Sequence, residues 1–405
     1  MIFLREGRWS LVVLIAAIAA SGCGKSGSKV AQAPPTGKTP SREEAETFAK
    51  KLEAAMNAPG FVEESRFLDW DRLFDRAVAG IELAERDRPK SKQGFLAGVR
   101  QGGGVFGPIR QQIQPGGNYR LLRVHSVDGK PRALFRMMRG DGGINYHDLF
   151  LVKTPLGAVV AEDAYIYATG ERLSETYHRI FVQLAAQQNR GLFDRLVKRD
   201  QAYVKSLPTI NNMIAATRRK DGRSALALFA TLPEEVRRMK FHQILRLQAA
   251  TQPLNAAEYE RAITEYRELF PSDRSLALFS IDYYSLRKEF DNALAAVDRL
   301  DRSIGGDPCL DYLRAGIFLQ QDRLPKADAA IRRALKAIPD LLQPHWMKLA
   351  ILLKQAKHEE TLSTLKDMDR RFKMNWMDFR FNPQYAGFVS SPQHAQWLAY
   401  LRTKK

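Results

Sequence analysis

Cysteine is almost absent from this chain: in 405 residues there are two, Cys23 and Cys309. A disulfide framework is therefore excluded, and once Cys23 is committed elsewhere no intramolecular bridge can form. Long apolar runs are missing after the first two dozen residues; nothing later approaches the roughly 18 residues that a membrane-spanning helix requires. The histidines His125, His147, His178, His242, His345, His358 and His394 are scattered, with no i, i+4 pair beside a carboxylate cluster, so no metal centre is expected. Neither G-x-S-x-G nor a cysteine-nucleophile signature occurs. Gly24-Lys25-Ser26 imitates the end of a phosphate-binding loop. Ala19 stands where that motif needs its first glycine, however, and the following GSKVAQAPPTGKTP cannot be a helix. Gly102, Gly104 and Gly107 satisfy G-x-G-x-x-G, but no clear strand precedes them and Pro108 follows, so they read as a glycine-rich connection. No cofactor is expected and no motif names a reaction.

Acidic residues are outnumbered. The formal charge is +18, and the basic residues are densest from Arg195 to Lys240, including Arg218-Arg219-Lys220. Such a surface favours anionic neighbours: lipid headgroups, acidic polymers or acidic proteins. The cations are interleaved with Glu and Asp and no nucleic-acid module surrounds them, so specific nucleic-acid binding is not expected.

The N-terminus reads as an export signal. Arg5 and Arg8 precede an apolar stretch from Leu11 to Ala20, and Ala20-Ser21-Gly22 places small residues before Cys23. This resembles the bacterial lipoprotein signal, with Ala20 where Leu is more usual. The resemblance implies cleavage after residue 22, lipidation of Cys23 and acylation of its new amino group; several acyl chains anchor a protein where one would not. Gly24 rather than Asp implies sorting to the outer membrane, facing the periplasm, in preference to the inner membrane. Residues 24–41, rich in Gly, Ser, Pro and Lys, read as a flexible tether that reaches about 60 Å at ~3.4 Å per residue when stretched.

Folding is expected to begin at Ser41, where Ser41-Arg42-Glu43-Glu44 spells a capping box ahead of Ala45, Phe48, Ala49, Leu52 and Met56 at helical spacing. A second amphipathic stretch carries Phe67, Trp70, Leu73, Phe74, Ala77 and Ile81 on one face. Strands are predicted over Tyr119–Val127, Arg132–Arg139, Ile144–Lys153 and Ala158–Thr169. The turn signals between them, Asp128-Gly129, Gly140-Asp141-Gly142-Gly143 and Pro155-Leu156-Gly157, make an antiparallel meander. Helices followed by long meandering strands resemble the NTF2-like, cystatin-like α+β fold over residues 42–175, a cone that often holds a pocket. That resemblance makes Tyr146, Asp148, Asp163 and Tyr165 candidate pocket residues. His147 and Asp148 are adjacent on a strand and point to opposite faces, so they form no direct dyad.

From Leu173 onward strands give way to helices, beginning with a long linking helix predicted over Leu173–Val204. Phe290, Leu324 and His358 are spaced by 34 residues, as are Ala293, Ala327 and Thr361; Val297, Ile331 and Leu365; and Leu300, Ala334 and Met368. Together with DYLRAGIFLQQDRLPKADAAIRRALKAIP, in which Gly316, Ala327, Ala334 and Pro339 stand at the expected places, this resembles tetratricopeptide repeats. About five helix pairs are expected between Lys205 and Arg371, with a cap around Trp397, in a helical domain over residues 176–405.

Such solenoids generally hold a peptide or partner domain. The resemblances therefore imply an envelope-anchored, non-enzymatic scaffold that binds an acidic protein partner and touches the membrane through its lipid. Two alternatives stand beside it: a small-ligand or enzymatic site in the α+β cone, and an anionic polymer held by the basic surface.

Overall fold

The computed structural model describes residues 38–60, 62–81, 83–114, 116–188, 196–252 and 255–403, excepting the side chains of 184–188. The expected capping box starts the first helix, α1 (Arg42–Asn57): Ser41 Oγ accepts from the Glu44 amide at 3.2 Å, and Glu44 Oε2 from the Ser41 amide at 2.7 Å. Its buried side chains are Ala45, Phe48, Ala49, Leu52 and Met56, the residues its periodicity singled out. Helix α2 (Trp70–Ala77) is capped by Asp69.

Two further helices, α3 (Arg88–Gln101) and α4 (Phe106–Ile113), occupy a stretch that sequence reading treats only as a glycine-rich connection. Gly94 and Gly98 lower the intrinsic helix preference there, and burial of Phe95, Val99, Phe106 and Ile113 in the common core overrides it. The break between these helices puts Gly103 and Gly104 at positive φ. A side chain at Gly104 would strike the Glu64 carboxylate, which accepts from the Phe106 amide at 2.6 Å.

The sheet is an antiparallel meander of β1 (Asn118–Val127), β2 (Lys130–Met138), β3 (Ile144–Lys153), β4 (Val159–Ile166) and a short β5 (Glu171–Arg172), in that order. Sequence reading expects four strands, with the last running to Thr169. Instead β4 ends at Ile166, and a turn closed by the Thr169 and Gly170 amides reverses the chain into β5. A bulge at Glu162, between the register pairs Phe150–Asp163 and Leu151–Ala161, turns that carboxylate to Arg72 and Arg76 of α2. Phe135, Met137, Leu149, Leu151 and Ala164 share a core with α1, while Leu134, Met138, Ile144, Tyr146 and Tyr167 share a different core with the helical half. Both faces of the sheet are covered.

After α5 (Leu173–Gln188), Val197 is extended (ψ 151°) and a separate α6 (Lys198–Lys205) follows, so Leu173–Val204 is not one continuous helix. The rest is helical: α7 (Leu207–Arg218), α8 (Gly222–Thr231), α9 (Glu234–Arg237), α10 (Lys240–Ala250), α11 (Ala256–Leu269), α12 (Leu276–Leu286), α13 (Phe290–Ile304), α14 (Leu310–Gln320), α15 (Leu324–Ala337), α16 (Leu342–Lys354), α17 (His358–Phe372), α18 (Ala386–Val389) and α19 (Pro392–Arg402). They pack as successive pairs, α7 with α8, α10 with α11, α12 with α13, α14 with α15 and α16 with α17, and α19 closes the end against α17.

The 34-residue columns explain the packing. Phe290, Leu324 and His358 each open a second helix, and the Ala293, Val297 and Leu300 columns are fully buried in all three pairs. Small side chains at Ala293, Ala327 and Thr361 let neighbouring helices approach, and the larger members fill the space between them. Gly316 does the same on a first helix, where a Cβ would meet the Met347 methyl at 3.3 Å. The period extends to the turns: Lys288, Asp322 and Ala356 all take left-handed φ of 61°, 58° and 53°. No glycine marks these positions, so the turn geometry was invisible to the sequence pattern. Because a non-glycine residue there costs about 1–2 kcal/mol, partly offset by glycine's greater unfolded entropy, Ala356→Gly should stabilise the protein by about 0.5–1 kcal/mol. The urea midpoint should rise with unchanged m-value; a fall would show that the turn is not strained.

Candidate functional site

The sheet face turned toward the helical half contains the candidate pocket residues, and the structure disperses them into partnered positions. Tyr146 lies in the centre of β3, fully buried, and its hydroxyl donates to Asp307 Oδ2 at 3.0 Å. Asp307 belongs to the loop before α14. Its other carboxylate oxygen accepts from Arg136 Nη1 at 2.7 Å and from the Cys309 amide at 3.0 Å. Tyr165 donates to Asp273, in the loop before α12, at 3.0 Å, and Lys240 reaches the same carboxylate at 2.5 Å. The Tyr167 ring lies edge-on between Tyr165 and Tyr146, at centroid distances of 5.3 and 5.7 Å.

Asp148, opposite Tyr165 in register, is ringed by partners: His125 Nε2 at 2.8 Å, Arg132 Nη1 at 3.1 Å and Arg274 Nη1 at 2.7 Å. Burial opposes its charge, but these partners outweigh burial and hold the carboxyl below the usual value. Asp163 stands apart. It accepts from Ser174 Oγ at 2.6 Å and from the Ser174 amide at 3.1 Å, tying down the first turn of α5, and burial raises its carboxyl despite those bonds. Burial, then the Asp307 carboxylate, pushes the Tyr146 hydroxyl well up, and burial followed by Asp273 does the same to Tyr165. Every one of these groups is occupied by a neighbour in the fold. What they build is the seam between the sheet and the inter-pair loops. Tyr146 and Tyr165 are brought to one face, and Asp163 is diverted to a helix terminus.

His147 faces the other way, as strand alternation requires. Asn145 Oδ1 accepts the Tyr146 and Ala168 amides, each at 2.8 Å, which turns its Nδ2 to His147 Nε2 at 3.0 Å. That nitrogen must accept, so Nδ1 carries the proton and donates to Tyr119 Oη at 3.2 Å. Desolvation lowers the imidazole to about 4, leaving it neutral.

Sequence reasoning missed Arg136, Asp273, Arg274 and Asp307. A signal existed for Arg136: an arginine inside the apolar strand segment ALFRMM demands a buried partner. Its partner lies 171 positions away, beyond the reach of any local pattern.

A cleft of about 790 Å³ opens where α2, α5, α6 and the α9–α10 junction meet; Arg76, Arg179, Arg199, Arg238 and Lys240 are among its lining. Each of these cations already pairs with a carboxylate, Glu162, Glu171, Asp200, Glu234 and Asp273 respectively, so the cleft is charge-balanced. Among the described residues no group of three or more His, Cys, Asp or Glu is gathered as for a metal, and no helix is long and apolar enough to cross a membrane. Cys23 and the expected export signal lie outside the described residues.

No protein-family model matches the chain, and a search of curated proteins finds no match.

On the first helices of the pairs, Arg314 and Lys348 stand 34 residues apart. Arg314 is held by Asp298, Asp301 and Asp311. Tyr283 stacks on Tyr259 at 5.6 Å beneath Arg287. Lys348 differs: it is half-buried, desolvation lowers its ammonium from the usual value, and it makes no ion pair among the described residues. It is the one of these three side chains free to receive an incoming acidic group.

Proposed function

We propose that this protein is a scaffold of the bacterial cell envelope. It is read as an NTF2-like α+β domain joined to a tetratricopeptide-like solenoid, tethered to the outer membrane through lipid on Cys23, and docking an acidic protein partner. The observation that carries the reading is the stack of helix pairs whose buried columns and left-handed turns repeat every 34 residues. That construction holds an extended surface in a fixed shape, and such surfaces bind. The candidate pocket residues of the sheet are engaged in the seam with the helical half, which weighs against a proton-moving site among them. Lys348 supplies the steering charge: an unpaired, partly desolvated cation attracts a carboxylate more strongly than a hydrated one.

The test compares immobilised wild-type chain with Lys348→Gln in envelope extract. The protein retained by the wild type should be acidic, should be released as salt rises, and should bind the variant about fivefold more weakly, corresponding to a contribution of about 1 kcal/mol. Retention that ignores both salt and the substitution would overturn the proposal.

A further inference from the structure

Beyond α17 the chain forms a rigid tip whose composition differs from the rest of the surface. Phe379 is buried between flat rings, stacked on Tyr385 at 4.2 Å and Trp397 at 6.1 Å, with Trp376 edge-on at 5.9 Å. The buried Asp369 carboxylate accepts from Trp376 Nε1 at 3.0 Å and Tyr400 Oη at 2.8 Å, pinning the segment to α17 and α19. From this base, two residues on either side of Phe379, Met377 and Phe381 project outward, 72% and 85% exposed; Leu398, next to Trp397 on α19, is 42% exposed. Large apolar side chains held this far into solvent by a rigid support mark an interaction surface.

Basic residues predominate around them. Between Lys373 and Thr403 the only carboxylate is Asp378, and Arg380 covers it at 2.5 Å. Lys373 and Arg402 are exposed and make no ion pair among the described residues.

We propose that this tip is a second, non-covalent membrane contact, in which Phe381 and Met377 enter the interface of an anionic bilayer while Lys373 and Arg402 meet its headgroups. Protruding apolar side chains on a segment with an unpaired cation near each end suit a lipid surface, which offers no preformed pocket and accepts any side chain that reaches below the headgroups. The inference rests on the envelope reading only in needing a bilayer within reach; it does not depend on lipidation.

The test uses the chain from residue 23 onward carrying Cys23→Ala, so that neither an acyl chain nor the apolar leader contributes, in flotation with phosphatidylethanolamine vesicles with or without roughly one third phosphatidylglycerol. The chain should float with the anionic vesicles, and adding Met377→Ser and Phe381→Ser should weaken this at least about tenfold, since two apolar side chains leave the interface. Lys373→Gln with Arg402→Gln should reduce the preference for phosphatidylglycerol while leaving circular dichroism unchanged. Failure of the Cys23→Ala chain to float, or equal flotation of the double serine variant, overturns the proposal. If the vesicles are ignored and the serine variant instead loses a specific protein, the tip is a protein contact and the lipid assignment is wrong. Whether Cys23 is acylated is read separately, from the mass of the unsubstituted chain, so the anchor and the tip succeed or fail independently.

Discussion

Replacing Asp307 by asparagine should cost about 3–5 kcal/mol, close to the whole margin of many domains, although the side chain hardly changes shape. Arg136 is 1% exposed, and its only ion-pair partner among the described residues is this carboxylate at 2.7 Å. The substitution would leave a guanidinium in the seam with no counter-charge. The new amide would also turn a donor toward the Tyr146 hydroxyl or Arg136, both of which now donate. Arg136→Met in the same chain should recover much of the loss, because removing both charges relieves the desolvation that a single removal exposes. Urea unfolding of the wild type, the single variants and the pair decides it. A loss below about 1 kcal/mol for Asp307→Asn, or no recovery in the pair, would mean that the seam does not depend on this charge.

Acid should destabilise the protein well above the pH at which most carboxylates titrate. Desolvation lowers His147 to about 4 and, with a smaller push from Arg179, lowers His242 to about 3, against an ordinary 6.5. In the unfolded chain both protonate as pH falls through about 6.5, whereas in the folded state they stay neutral until about pH 4 or below. Between those limits the unfolded state binds more protons. The stability contributed by the neutral histidines is therefore complete above about 6.5 and is lost as pH falls toward about 4. At about pH 5 each should have removed about 2 kcal/mol, on about 1.36 kcal/mol per unit. Desolvation also lowers His345, adding in the same direction. Urea midpoints at about pH 7.5 and about pH 5 measure the drop, and His147→Gln and His242→Gln should each shrink it by somewhat less than half. An undiminished drop in both variants would assign the acid sensitivity elsewhere.

Much of the fold was legible because it is local. The capping box at Ser41 needs only the stretch to Glu44, and the hairpin turn needs only Asp128 and Gly129, both with the positive φ such hairpins require. The strand limits agree with the alternation and turn signals to within a few residues, apart from the reversal after Ile166. Helices α3 and α4 were not legible, since glycines mask their propensity and only burial of Phe95 and Phe106 stabilises them. The candidate pocket residues were correctly set on strands, yet alternation cannot say what covers a face. The near-continuous burial along β2 held a hint, because an apolar strand with few breaks is covered on both sides.

The sequence by itself determined the period of the helix pairs, the meander and its turns, and the identity of the buried columns, all properties written at separations of a few residues or at one repeat. Tertiary structure alone decided that the outer sheet face closes against inter-pair loops, that Asp148, Tyr146 and Tyr165 become its fasteners, and that Phe381 stands in solvent. Those outcomes depend on contacts such as Arg136 with Asp307 and Arg274 with Asp148, separated by 171 and 126 positions. Burial and desolvation belong to the assembled neighbourhood, and no residue carries them alone.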